Sequence, residues 1–131
     1  MILIYILVAL TVLFAAYVRL APSDTGRWHS MPDTVADKDF EAGAMRVVTA
    51  GPEALAQLDR IARTWPRTTV LAGSVETGMI TYVTRSALWG FPDYTTVRRR
   101  GRQLELLARL RFGRSDMGVN RRRLEAWLDQ M

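Results

Sequence analysis

The hydrophobic pattern changes character three times along the chain. Ile2 to Val18 is apolar on every side and carries no charged residue. At ~1.5 Å per residue such a helix spans roughly 25 Å, close to the ~30 Å hydrocarbon core of a bilayer. Arg19 ends the run, and its long stem lets the charge reach the headgroups while Leu20 and Ala21 extend the apolar length. A helix without a polar face has nothing to offer water. A cleaved leader would carry a basic segment ahead of the apolar run and a small-residue cleavage site; neither occurs before Arg19. Residues 1–21 are therefore expected to persist as one transmembrane anchor.

Beyond Ala21 periodicity disappears. The stretch 22–43 is rich in Pro, Asp and Ser and reads as an extended linker lying along the domain, with Trp28 at the membrane interface or on the domain. Order returns at Ala44 to Thr49, a short strand. Gly51-Pro52-Glu53 then opens a helix, because Pro and Glu suit a first turn; Leu55, Leu58, Ala62 and Trp65 recur at helical spacing until Pro66 stops it. From Thr68 the period becomes two, which predicts strands over Thr68–Ala72, Met79–Ser86, Tyr94–Arg100 and Gln103–Phe112, the last pair turning at Gly101. In the last strand Leu104, Leu106, Ala108, Leu110 and Phe112 alternate with Gln103, Glu105, Leu107, Arg109 and Arg111, so one face belongs to the core and the other is free for polar partners. A closing helix, capped by Ser115 or Asn120, buries Leu124, Trp127, Leu128 and Met131. The prediction is an α+β fold: residues 44–131 form an antiparallel sheet of four to five strands covered by two helices, preceded by one N-terminal transmembrane helix.

Charge sharpens this picture. The chain carries +5 overall, but the ten arginines between Arg98 and Arg123 meet only Glu105 and Asp116, whereas residues 20–60 are acidic. All basic residues except Lys38 are arginine, so planar forks rather than point charges dominate. Cysteine is absent, which excludes disulfides, thiolate metal sites and thiol nucleophiles. His29 is the single histidine, with Asp33 four residues on. Asp33, Asp37, Asp39 and Glu41 lack the glycine and spacing of a calcium loop. No nucleophile elbow, phosphate loop or dinucleotide fingerprint occurs, and the arginines lack the aromatic spacing of nucleic-acid modules. No catalytic, cofactor-binding or metal-binding residue is assigned, and no nucleic-acid partner is expected.

The arginines suit anionic lipid headgroups or a neighbouring protein's carboxylates. Arg98, Arg99 and Arg100 form a candidate protein interface. Arg109 and Arg111 lie two apart on one strand face, about 7 Å from each other, as a candidate anion site. Asp93, Ser115, Asp116, Asn120 and Arg123 join them as a candidate structural knot or anion site: Asp116 accepts backbone N–H groups at a helix start or pairs with Arg111 or Arg123, and Asn120 caps.

The segment Arg111-Phe112-Gly113-Arg114-Ser115-Asp116-Met117-Gly118-Val119-Asn120-Arg121-Arg122-Arg123 resembles the closing signature of domain-of-unknown-function family 1499. Gly90-Phe91-Pro92-Asp93-Tyr94 is similar to that family's Gly-Phe-x-Asp-Asp element, and Met31-Pro32-Asp33-Thr34-Val35 to its opening motif. Ala108 and Leu110 stand where the family pattern has serines, Tyr94 where it has a second Asp, and Asp33 where it has Asn. The resemblance spans the chain from about Trp28 onward. It implies the fold and a membrane-associated or exported setting, with the domain periplasmic at a bacterial inner membrane, and no reaction.

Two functions are compatible with these features. One is a non-catalytic, single-pass accessory or assembly subunit of a larger integral-membrane complex. The other is a membrane-tethered module that binds an anionic lipid or small anionic ligand.

Overall fold

A computed structural model describes residues 1–131. Its elements are α1 (Ile2–Leu20), α2 (Thr25–Trp28, one turn), β1 (Lys38–Phe40), β2 (Gly43–Thr49), α3 (Ala54–Thr64), β3 (Thr68–Ser74), β4 (Met79–Arg85), β5 (Pro92–Arg100), β6 (Gln103–Leu110) and α4 (Val119–Asp129). The α+β class stands, and the sheet has six antiparallel strands in the order β1-β2-β6-β5-β4-β3. The expected four to five strands are thus one or two short. β1 lies in the stretch read as linker and pairs Lys38 with Met45 and Phe40 with Gly43. Three residues cannot display an alternating period, and of Lys-Asp-Phe only the Phe favours a strand.

One face of the sheet meets the helices as expected. Ala44, Ile80, Tyr82, Val97, Leu104, Leu106 and Ala108 pack against Leu55, Leu58 and Ala62 of α3 and Leu124 and Trp127 of α4. The Trp127 ring meets Tyr82 edge-on at 5.6 Å and Trp65 at 6.2 Å, a geometry that aromatic quadrupoles favour. The Tyr82 hydroxyl donates to Asp59 Oδ1 at 2.6 Å. Gly43 is required where β2 passes β6, since a Cβ there would sit 1.9 Å from the Ala108 carbonyl oxygen.

The opposite face was expected to stay open for polar partners; the chain covers it itself. The segment from Pro22 to Asp33 crosses it as a strap whose centre, Trp28, is 5% exposed. Trp28 stacks on Tyr94 with centroids 4.1 Å apart and planes 13° from parallel, beside Val83 and Leu71. A β-bulge between Val70 and Ala72 interrupts the β3–β4 register beside that cluster.

α1 is long and apolar enough to cross a membrane. Its C-terminal turn meets the end of the sheet where β3 starts, β4 ends and β5 starts. The β5–β6 turn at Gly101 lies at the other end of those strands, about 25 to 30 Å away at ~3.3 Å per residue.

Candidate functional site

The arginines singled out on the sheet are engaged within the chain. Arg109 donates through Nη2 to the carbonyls of Arg27 at 3.1 Å and Trp28 at 3.3 Å, and its guanidinium lies 4.9 Å from the Trp28 ring centroid. Burial, with Arg27 nearby, lowers its pKa. Arg111 donates to the Pro22 carbonyl at 3.1 Å and to the Tyr94 hydroxyl at 3.0 Å, which also bonds Ser23 Oγ at 2.6 Å. Arg98 and Arg100 pair with the buried Glu105 and reach the carbonyls of Pro32 and Asp33. Arg99, on the other face, donates to the Pro52 carbonyl at 3.2 Å. His29 bonds Thr81 Oγ1 through Nδ1 at 2.7 Å, in line with Thr96. Guanidinium forks and a threonine ladder therefore clamp a strap that lacks ladder hydrogen bonds of its own.

The knot forms in part. Asp116 accepts from the backbone N–H of Gly118 at 2.9 Å and of Asn120 at 3.0 Å, and from Asn120 Nδ2 at 2.9 Å. Asn120 Oδ1 accepts from Arg123 Nη1 at 2.6 Å, and Arg123 Nη2 reaches Asp93 at 3.4 Å. Gly118 is the cap residue, in a left-handed conformation, and Asp116 supplies the carboxylate that takes up the first N–H groups. Asn120 sits inside α4 instead of capping it, Ser115 accepts only from the Met117 N–H at 3.3 Å, and Arg123 is bridged to Asp116 through Asn120 rather than paired with it. Arg109 and Arg111 stay on the strap face, away from this group. Burial raises the Asp93 pKa against the pull of Arg123, and burial lowers that of Arg123.

A third cluster, unmarked by the sequence patterns, lies where α1 meets the sheet. Arg85 donates through Nη1 to the carbonyls of Val18 at 3.2 Å and Gly90 at 2.9 Å. Arg19 donates to the carbonyls of Leu88 at 3.0 Å and Trp89 at 3.4 Å. Phe14 meets Phe91 and Tyr17 meets Phe112, both edge-on near 6 Å, and Val18 is 1% exposed. Gly90 adopts φ +74°, and a Cβ there would come 2.9 Å from Arg19 Nε, so glycine is needed both for the turn and for the arginine. The β4–β5 loop closes on itself through bonds between Ser86 and Phe91, yet it leaves Leu88 76% and Trp89 40% exposed.

Two adjoining cavities open at this junction. One, of about 500 Å³, is lined by Arg19, Arg67, Thr68, Thr69, Arg85, Ser86, Ala87 and Gly90. The other, of about 430 Å³, shares Arg67, Arg85 and Ser86 and continues to Asp93, Arg122 and Arg123. Arg67 and Arg85 are locked reciprocally: the Arg85 N–H donates to the Arg67 carbonyl and Arg67 Nε to the Arg85 carbonyl. Arg67 holds a left-handed φ of 54° in doing so, a conformation that costs a non-glycine residue of order 1 kcal/mol. None of Arg19, Arg67 and Arg85 joins an ion pair. A hollow of about 420 Å³ on the outer side of the loop is lined by Leu7, Leu10, Thr11, Phe14, Trp89 and Phe91. The sequence held one signal for this junction: Leu88 and Trp89 sit together in a turn between strands, where polar residues are the norm.

No curated protein and no solved structure matches the chain. The family model described as "Protein of unknown function (DUF1499)" matches residues 18–131, from the last turn of α1 through the strap and the whole sheet. The chain, as its Asp116 motif suggested, belongs to that family.

Proposed function

We propose that the chain is a membrane-tethered binding module whose α1 spans a bilayer and whose domain, on the periplasmic side, holds an anionic phosphate-class group in the arginine-lined cavity at the foot of that helix. The observation that carries this reading is the convergence of Arg19, Arg67 and Arg85 on one cavity without a carboxylate partner. Unpaired guanidiniums held in place by backbone bonds are preorganised for an oxyanion, and Thr68, Thr69 and Ser86 add hydroxyls to the same wall. Retention of α1 is supported by its docking: without Phe14, Tyr17 and Val18, the rings of Phe91 and Phe112 and a buried surface would be uncovered.

The alternative, an accessory subunit of a larger membrane complex, draws less support from the geometry. Its docking residues Arg98, Arg99 and Arg100 bond the chain's own carbonyls and Glu105, at the end of the sheet away from α1. A binding role rather than a catalytic one fits the single histidine, whose Nδ1 is engaged with Thr81 in holding the strap.

The test is the unfolding midpoint of the full chain in mild detergent, titrated with inorganic phosphate at constant ionic strength. A ligand at ten times its dissociation constant stabilises by about 1.4 kcal/mol. The midpoint is expected to climb with phosphate in the wild type and to stay flat in Arg67→Gly, a substitution that suits the left-handed backbone at that position. An equal response in both proteins, or none in either, defeats the proposal. A phosphatase fused after Met131 should be active if the domain is periplasmic; a silent fusion reverses the orientation.

A further inference from the structure

We infer that the anionic group is the headgroup phosphate of a glycerophospholipid drawn from the same bilayer, with one acyl chain lying in the apolar hollow between α1 and the β4–β5 loop. This rests on the reading of the arginine cavity as an anion site and adds the identity of the ligand.

The polar cavity and the apolar hollow lie on the two sides of one loop. Arg19 and Gly90 border the first, while Phe14, Trp89 and Phe91 border the second, and Arg19 is tied to the loop through the Leu88 and Trp89 carbonyls. Depth agrees with this assignment. From Arg19 back to Leu7 is three turns of helix, about 18 Å at ~1.5 Å per residue, close to one leaflet of a ~30 Å core. Along the anchor the hollow itself is lined from Phe14 to Leu7, about 10 Å at ~1.5 Å per residue, and it begins about 7 Å below Arg19, where the first stretch of an acyl chain would follow a headgroup held by the guanidiniums. Its one polar residue, Thr11, already donates its hydroxyl to the Leu7 carbonyl at 2.8 Å, so the wall asks for no hydrogen bond and suits hydrocarbon. A free anion would fill the cavity and leave the hollow to whichever lipids surround the anchor, whereas one glycerophospholipid occupies both.

Selectivity then lies in the headgroup, because the tail exchanges one apolar surrounding for another. The cavity beside Arg19 offers no carboxylate, and Asp93 in the adjoining one is paired with Arg123, so the ammonium of a zwitterionic lipid gains little there while the arginines repel it. Trp89 and Leu88, exposed on the loop tip next to Phe14 and Leu10, sink into the same layer; an indole at that depth is a common interfacial anchor.

The experiment is native mass spectrometry of the full chain released from vesicles of equal phosphatidylglycerol and phosphatidylethanolamine. One retained phosphatidylglycerol per chain is expected in the wild type, and about tenfold less in Arg67→Gly, the loss of one charged hydrogen-bonding partner. Trp89→Ala, at an exposed position that the fold tolerates, is expected to lower retention of the lipid while leaving the phosphate-dependent unfolding shift intact. If phosphate still stabilises the wild type and not Arg67→Gly, but lipid retention is absent or indifferent to Trp89→Ala, the ligand is a soluble anion and the lipid assignment falls alone. If neither phosphate nor lipid binds, the anion site falls with it. Retention that drops in Trp89→Ala but not in Arg67→Gly marks unselective annular lipid and also overturns the inference.

Discussion

At the scale of single residues, the side chains that matter most are those whose partner is backbone. Asp116 satisfies two N–H groups at the start of α4 and orients Asn120, which in turn holds Arg123. Asp116→Ala is expected to destabilise the full chain by ~1 to 3 kcal/mol, the range for losing a cap together with a charged acceptor; an unchanged urea midpoint would contradict the capping role. The acid-like groups of the core leave a pH signature of unusual sign. Burial and the bond to Asp59 push the Tyr82 pKa far above its ordinary value of 10.0. A proton held more tightly in the folded state means that stability is fully present below pH 10 and declines as pH rises above it. Tyr82→Phe should remove that alkaline slope at a cost of about 1 kcal/mol at neutral pH, measured as the unfolding midpoint from pH 8 upward; an unchanged slope refutes it. Asp93, also raised by burial, acts in the same direction at the acid end: its contribution is lost as pH climbs through its raised pKa. The Asp116 cap was legible because Asp two residues before glycine at a helix start has a recognisable chemistry. Arg67 was not, because nothing in a sequence marks an arginine held at positive φ.

At the scale of elements, what was readable followed from period and punctuation. α3 begins at Ala54, one step later than expected, because Pro52 and Glu53 form the Gly51–Ala54 turn ahead of it, and it ends before Pro66 because a proline drives the residue before it, Trp65, out of the helical region. β5 starts at Pro92, two residues before the alternating run, since a Pro at the first strand position gives up no needed ladder bond. β1 and the strap were hidden for different reasons: β1 is a three-residue arm of a tight hairpin with β2, too short to show a period, whereas the strap, legible only as an extended segment along the domain, is held by Arg98, Arg109 and Arg111, which lie 66 to 89 residues away in sequence. The β4–β5 loop is the element whose geometry sets the junction with α1. Gly90→Ala forces a Cβ against Arg19 in a left-handed turn. Faster amide exchange across residues 86–91 and in the last turn of α1 is expected, with exchange in β2 and β6 unaltered; protection that stays uniform would show that the loop does not hold the helix.

At the scale of the whole molecule, docking of α1 fixes the attitude of the sheet. The strands run away from the junction, so under the proposed membrane orientation Leu88 lies in the bilayer while the Gly101 turn stands roughly 25 to 30 Å above it. The absence of cysteine makes this directly measurable. A spin label on Leu88→Cys should relax with oxygen dissolved in lipid, and one on Gly101→Cys with a water-soluble paramagnet; the same accessibility at both sites would mean that the domain tumbles freely on its tether. The overall layout of helix-covered antiparallel sheet was legible from alternation in β4 to β6. Its second covering layer was not, since one strand pattern serves equally for a face open to solvent and for a face covered by an aperiodic strap.

The strap is grasped through its carbonyls: Pro22, Arg27, Trp28, Pro32 and Asp33 each present a main-chain oxygen to an arginine of β5, of β6 or, for Pro22, to Arg111 just past the end of β6. Every residue type has that oxygen, so the strap is free to drift in sequence wherever its side chain faces water, while the arginines that hold it are not. A saturation library scored for folded protein should accordingly show an asymmetric map, permissive at the water-facing positions of the strap but not at Ser23, Trp28 and His29, and intolerant at Arg98, Arg109 and Arg111; Lys fails at Arg98 because one ammonium cannot span the Glu105 carboxylate and the Pro32 carbonyl that the planar fork reaches at once, and at Arg109 because it loses the flat cation over Trp28. A segment whose composition suggests mere connection is thus fixed in shape by what grips its main chain, and only its water-facing side chains are left free to change.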